Sequence, residues 1–274
     1  MSRYHNPTGS DLRSACLDKT EDKTVRELLW RLNWPKKPRL LGTSTKVKKG
    51  EGKGYLTAVL YLLPSTLCQH FLGLKRTLCP YASEGCRAVC LGQSSGRLRF
   101  TSSRNAQAWK TAVYLLHPDL FYDTLKAELK KHYTKAHNMG LKPAVRLDGS
   151  SDTGLAIHFA PLFPQIQFYE YTKNPCKYSN WLNDHKAYRL YENLHFTFSA
   201  SEKHTDAMIR TRLQDKGTVA IVCRDKPTAF YGYPVVDGDA DDLRFLDPPG
   251  SLVVLSAKGT AKADRSGFVR DYSL

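Results

Sequence analysis

The segment "LCPYASEGCRAVCLGQSSGR" (Leu78–Arg97) places Cys79, Cys86 and Cys90 in one short loop. Thiols this close together can ligate a metal, form a disulfide or fill space. The chain has seven cysteines, the others being Cys16, Cys68, Cys176 and Cys223. An odd count in a long chain without an apolar leader argues against a disulfide framework, which belongs to small secreted domains. Metal is therefore the expected role. The C-x6-C-x3-C spacing does not make a zinc site by itself, because zinc knuckles come as paired short C-x2-4-C units and no second unit is present. A fourth ligand could come from Cys68, His70, Cys176 or Cys223. Cys68, however, sits in apolar "LPSTLCQHFLG" and reads equally well as a small buried hydrophobe. Iron–sulfur clusters are held by thiolates. Three cysteines on a 4Fe-4S cluster would leave one iron open to an exchangeable ligand. The expected metal residues are Cys79, Cys86 and Cys90, with zinc as the alternative to the cluster.

The elements that would position this loop follow from the hydrophobic pattern. Six β-rich runs begin with "GYLTAVLYLL" (Gly54–Leu63) and continue with "PAVRLDG", "IQFYEYTK", "LHFTFSAS", "GTVAIVCR" and "SLVVLSAKG". Helical stretches such as "DLFYDTLKAELKKHYTKAHNMG" and "SEKHTDAMIRTRLQDKG" lie between several of them. Alternation of this kind predicts βαβ units and a parallel sheet. The expected fold is α/β, a partial (β/α)6-type parallel barrel over residues 54–274. Residues 1–53 are expected to form a basic N-terminal extension with one short helix, "DKTVRELLWRLNWP", ended by Pro35. The connection after Lys173 and the stretch "KPTAFYGYPVVDGDADDLRFLDPPG" read as irregular.

In parallel α/β folds ligands bind at the carboxyl ends of the strands. The second run ends in Arg146, Asp148, Ser150, Ser151 and Asp152, the third in Glu170, Thr172 and Lys173, and the fourth in Ser199 and Ser201. A single polar strand end is ordinary turn chemistry. Several on one face, with the cysteine loop among them, predict a site. The expected cofactor-binding residues are Arg146, Asp148, Ser150, Asp152, Lys173 and Ser199. No Ser/His/Asp arrangement suggests conventional nucleophilic catalysis.

The chain has 274 residues, 41% hydrophobic and 24% charged, with a formal net charge of +15 and a pI near 9.5. This balance favours an anionic partner, most simply a nucleic acid or nucleotide. Part of the excess is local, in "WPKKPRLLGTSTKVKKGEGKG" (Trp34–Gly54). No apolar run is long enough for a membrane helix, and the N-terminus lacks a secretory core. A soluble, cytoplasmic protein without a membrane partner is expected.

Three compact cysteines after the first strand of a six-stranded α/β sheet resemble the radical S-adenosylmethionine superfamily. That resemblance implies an open iron that chelates the amino and carboxylate groups of S-adenosylmethionine, a cluster that delivers one electron, and an electron donor as partner. The superfamily's common spacing is C-x3-C-x2-C, and no Gly-Gly-Glu element follows the second strand. "RLDGSSD" stands in its place, so Asp148 and Asp152 are the residues there for ribose or ammonium groups. Along the whole chain, the ordered blocks "CPYASEGCRAVCLGQSSGR", "PAVRLDGSSD", "FYEYTKNP", "HFTFSASE", "VAIVCRDK" and the C-terminal "YPVVDGDADDLRFLDPPGSLVVLSAKGTAKADRSGFVRD" are similar to a widespread family of uncharacterised tailed-phage proteins. This likeness spans Cys79 to Asp271, implies a phage origin, and leaves Cys68 outside the recurring cysteines. The expected function is an iron–sulfur, radical S-adenosylmethionine-like enzyme acting on a nucleotide or nucleic acid. The alternative is a non-enzymatic nucleic-acid-binding protein whose cluster or zinc orders a loop.

Overall fold

The computed structural model describes residues 7–43, 48–65, 67–94, 96–187 and 192–272. Part of the basic stretch, residues 44–47, lies outside them. Ten helices are described in chain order: α1 (Gly9–Asp18), α2 (Lys23–Arg31), α3 (Leu67–Leu72), α4 (Glu84–Ala88), α5 (Leu91–Ser94), α6 (Thr101–Leu116), α7 (Pro118–Asn138), α8 (Leu155–Phe159), α9 (Pro175–Ala187) and α10 (Asp206–Gln214). The strands are β1 (Leu41–Gly42), β2 (Tyr55–Leu60), β3 (Lys142–Arg146), β4 (Gln167–Thr172), β5 (Leu194–Ser199), β6 (Thr218–Cys223), β7 (Val235–Asp237), β8 (Leu252–Ser256) and β9 (Val269–Arg270). None of the described helices is long and apolar enough to cross a membrane.

These strands form one mixed sheet in the order β1-β2-β3-β4-β5-β6-β8-β7, with β9 added to the end of β6. Only β1 is antiparallel to its neighbour. The six expected strands are all present, adjacent and parallel, and the sheet is not closed. Continuous apolar runs such as "TVAIVC", buried at every position, are what a strand covered on both faces requires.

One face carries Leu60, Val145, Phe168, Phe196, Ile221 and Val254 into a large core shared with α6 to α10. The segment before Gly54 holds two helices rather than one, and it belongs to that same core through Leu12, Cys16, Val25, Leu29 and Leu40. α1 shows almost no apolar stripe in sequence, since only Leu12, Cys16 and Gly9 are buried. It forms through a capping box between Thr8 and Asp11. The carboxylate of Glu128 on α7 accepts the backbone N–H groups of Leu40 and Leu41, both at 2.8 Å. Lys110 Nζ on α6 donates to the Leu40 carbonyl at 2.7 Å, and burial lowers its pKa to about 8.

On the opposite face, the register aligns Thr57 with Ala144, Val59 with Arg146, and Tyr171 with Thr197. Residues 241–247 fill this side. The Phe245 ring packs on Tyr55 and Tyr169, with centroids 5.0 and 5.6 Å apart. The fully buried Arg244 pairs with Asp241 at 3.0 Å and Asp247 at 3.2 Å. The acidic stretch expected as a plain loop is therefore a cover for the sheet, and it also contributes the short edge strand β7.

Candidate functional site

The cysteine loop lies at the carboxyl ends of the parallel strands, held there by three anchors. The first is at β2 and β3. The Ser65 N–H, in a residue with φ of 50°, donates to Cys79 Sγ at 3.2 Å, and the Cys79 thiol faces the Ser150 carbonyl at 3.8 Å. The Asp152 N–H donates to the Leu78 carbonyl at 2.8 Å. The second anchor follows β5. Glu202 accepts the Ser83 hydroxyl at 2.7 Å and the Gly85 N–H at 3.0 Å, at the start of α4. Burial pushes the Glu202 carboxyl up, but these hydrogen bonds outweigh it and hold it below the usual carboxylate range. The third anchor is apolar. Val89 packs with Val222, Ala261, Phe268 and Val269, with Cys86 at the rim of this cluster. Close approach requires the glycine at position 85. A Cβ there would stand 2.4 Å from Ser266 Oγ and 2.9 Å from Phe268 Cβ.

Cys79, Cys86 and Cys90 are half-buried. Burial raises all three thiols, Cys79 to about 12 and Cys90 to about 11. Each is also within the electrostatic reach of another: Cys86 and Cys90 both raise Cys79, and Cys86 raises Cys90. Burial lowers Lys173, and Cys86, Asp152, Glu202 and Cys79 all oppose that shift, so its ammonium stands among thiols and carboxylates. Lys173 Nζ donates to Ser199 Oγ at 2.8 Å and to the Ser199 carbonyl at 3.1 Å, with the Phe268 ring 5.0 Å away. Among the described residues, no three His, Cys, Asp or Glu side chains are placed to hold a single metal ion. Cys68 and Cys223 are buried in the main core and Cys176 is exposed.

The remaining expected residues are distributed differently. Asp148 accepts hydrogen bonds from the Ser151 and Thr153 hydroxyls and from the N–H groups of Thr153 and Gly154, at 2.7 to 2.9 Å. Ser150 donates to the Leu62 carbonyl at 2.6 Å and accepts from Gln107. Asp152 joins β3 to β4 by accepting from Thr172 Oγ1, the Lys173 N–H and Lys177 Nζ. Arg146 pairs with Asp242 at 3.2 Å and lies over Tyr171. Of the six, Lys173 and Asp152 stand within electrostatic reach of the thiols and the Ser150 carbonyl faces Cys79, while Ser199 reaches them only through Lys173; Asp148 shapes the adjoining turn, and Arg146 is engaged with the covering segment. Lys258, just after the end of β8, pairs with Asp239. The sequence does not mark Glu202 or Phe268. Glu202 could have been found as the first charged residue after the end of β5, whereas Phe268 gives no local signal.

Residues 36–272 match the family model described as Gene product 88. The chain belongs to the Gene product 88 family. The match takes in every described strand and the whole cysteine loop, and it bears out the phage-type family expected from the ordered sequence blocks. Helices α1 and α2 precede it. No curated protein and no solved structure matches the chain.

In this Gene product 88 chain, buried and mutually repelling thiols should be slow nucleophiles when metal-free, because the thiolate is the reactive form. Iodoacetamide at mildly alkaline pH is expected to modify the exposed Cys176 first and the three loop thiols at least about 10-fold more slowly. Replacing Lys173 with Met should slow Cys86 further, since Lys173 lowers that thiol. Peptide mass mapping against time checks this. Loop thiols as fast as Cys176 would contradict the placement described.

Proposed function

We propose that Cys79, Cys86 and Cys90 hold a 4Fe-4S cluster, and that the chain is a radical S-adenosylmethionine-like enzyme acting on a nucleotide or nucleic acid in the cytoplasm. The observation that carries this reading is the gathering of three thiols and one lysine at the strand ends, with the other four cysteines elsewhere. The donor set suits the group in kind. All three donors are thiols, and Cys79 already accepts a backbone N–H, a contact of the sort that tunes cluster sulfurs. Zinc would need its ligands drawn onto one ion, whereas a cluster takes each thiolate on a different iron. When bound, such a cluster would supply an iron with an open position for S-adenosylmethionine and one electron for its cleavage.

The chain's own residues have definable parts in this reading. Lys173 sets one positive charge against the thiolates, and Ser199 fixes its ammonium. Glu202 and Gly85 hold α4 down so that Cys86 stays turned to the strand ends. Asp152 keeps β3 and β4 in place beneath the loop. The six parallel strands serve as the wall of a partial (β/α)6 barrel, and the positive charge of the chain draws an anionic substrate. A separate electron donor is required.

A second reading has an observation in its favour. Asp148 is engaged by its own turn, Ser150 by Leu62 and Gln107, and Arg146 by Asp242, which leaves few groups to grip a cofactor. A non-enzymatic nucleic-acid-binding protein with a structural cluster or zinc would need no such groups. Anaerobic purification, with iron, sulfide and zinc measured, followed by EPR with and without S-adenosylmethionine, separates the two. About four irons and four sulfides, with a spectrum changed by the cofactor, is the expected result. A cluster indifferent to the cofactor selects the second reading, and a chain without iron after reconstitution overturns the first.

A further inference from the structure

The surface around α4 is basic and carries exposed aromatic rings. Arg87 projects from α4 itself, and Lys75 and Arg76 precede Cys79. Lys203 follows Glu202, the residue that accepts the Gly85 N–H. Arg265 precedes Ser266, which abuts Gly85. Arg99 follows the loop and lies over the Phe100 ring at 5.2 Å. All six of these cations are exposed, and none has a carboxylate partner among the described residues. The acids nearest them are mostly occupied. Glu202 caps α4, and Asp264 accepts from Ser266 and the Val269 N–H. Glu84, on α4, is the acid among them that is exposed.

Two exposed aromatic side chains accompany these cations, one in the cysteine segment and one just after the 96–99 turn that packs on α5. Tyr81, between Cys79 and Cys86, is 47% exposed, and Phe100 is 51% exposed. Neither ring belongs to the core, and single exposed hydrophobics are ordinary. Here Tyr81 lies within the cysteine segment and Phe100 follows it, among cations without a carboxylate partner. Backbone-tracking positive charge combined with rings for base stacking is how proteins hold single-stranded nucleic acid. A duplex would offer phosphates to the cations but no base faces to the rings.

We propose that the rim around the cysteine loop, with Arg87, Lys203 and Arg265 for phosphates and Tyr81 and Phe100 for bases, binds single-stranded nucleic acid across the mouth of the site. This deepens the nucleic-acid reading above and depends on it for its functional meaning, but it does not depend on the cluster. The strand would run along the loop so that one nucleotide lies over the thiol-bearing end of the sheet.

Binding of a labelled oligothymidine of about a dozen nucleotides, of its ribonucleotide counterpart and of a duplex of equal length would be measured by fluorescence anisotropy. Both metal-free and iron-reconstituted full-length protein would be used, at two salt concentrations. The expected result is tighter binding of a single strand than of the duplex in both preparations. Tyr81→Ala/Phe100→Ala should weaken it by about 10-fold or more. Arg87→Gln/Arg265→Gln should leave single-strand preference intact while reducing the salt slope by about one to two. Thermal melts of each variant exclude unfolding, and because these side chains are exposed they should melt like the parent. Duplex binding as tight as single-strand binding, or aromatic variants that bind like the parent, overturns the proposal. Loss of iron without loss of oligonucleotide binding would count against the cluster alone, so the two readings fail separately.

Discussion

Serine in place of Cys79, Cys86 or Cys90 is expected to strip the chain of most of its iron, while Cys176→Ser and Cys68→Ala leave iron content at the parent level. Changes to groups that merely orient metal ligands already cost about 10- to 100-fold in affinity, so removal of a thiolate should cost more. Folding should survive these changes. A serine at position 79 can still accept the Ser65 N–H, and positions 86 and 90 are only partly buried. Cys68→Ala deletes one buried sulfur, with a stability loss of about 1 kcal/mol, and no metal donor. The burial that pushes the loop thiols up adds a pH signature. Their protons must leave on ligation, so iron loading should release protons and weaken steadily as pH falls. Iron quantified in parallel preparations of the five variants, with thermal melts as the folding control, checks the set. Parent-level iron in every single serine variant would end the cluster assignment. Equal loss in Cys68→Ala would make Cys68 a ligand and close the open iron.

The strands were legible because parallel strands covered on both faces must read as short apolar runs, and "YLTAVL", "TVAIVC" and "LVVLS" do. The place of the site was legible for a topological reason, since such sheets gather polar residues at one end. The part played by each polar residue was not. A carboxylate at a strand end can face a ligand or turn back on its own loop, and composition does not distinguish the two. Asp148 turns back, satisfying donors three to six residues later, whereas Lys173 reaches across to Ser199 and the thiols. Helix α9 was hidden by its aromatic content, because Tyr178 and Trp181 sit in a helix only by virtue of the core that receives them. The docking of α4 depends on Gly85 meeting Ser266 and Phe268, residues far away in sequence. No local pattern encodes such a contact.

Arg146 was expected at a cofactor, and its surroundings permit a sharp test of what it does in the fold. Its guanidinium is held by Asp242 at 3.2 Å, with side-chain exposures of 17% and 6%, and rests 4.5 Å from the Tyr171 ring. Asp242 belongs to the segment that covers the sheet, beside the buried Arg244 with Asp241 and Asp247. Asp242→Ala would remove the carboxylate paired with the arginine, a change that costs about 3–5 kcal/mol in buried pairs. For a chain of this size the melting temperature should fall by on the order of 10 °C. Arg146→Met should also destabilise, since it takes the paired guanidinium from the buried carboxylate. The double variant Arg146→Met/Asp242→Leu should recover most of the loss, because a well-packed apolar pair avoids desolvating either charge. Differential scanning calorimetry on the parent, the two single variants and the double variant gives the coupling directly. Additive losses would mean that the two side chains act independently and that Arg146 is available for a ligand. Recovery in the double variant, with iron content unchanged, would make Arg146 a fastening between the sheet and its cover, and leave the chemistry to the thiols and Lys173.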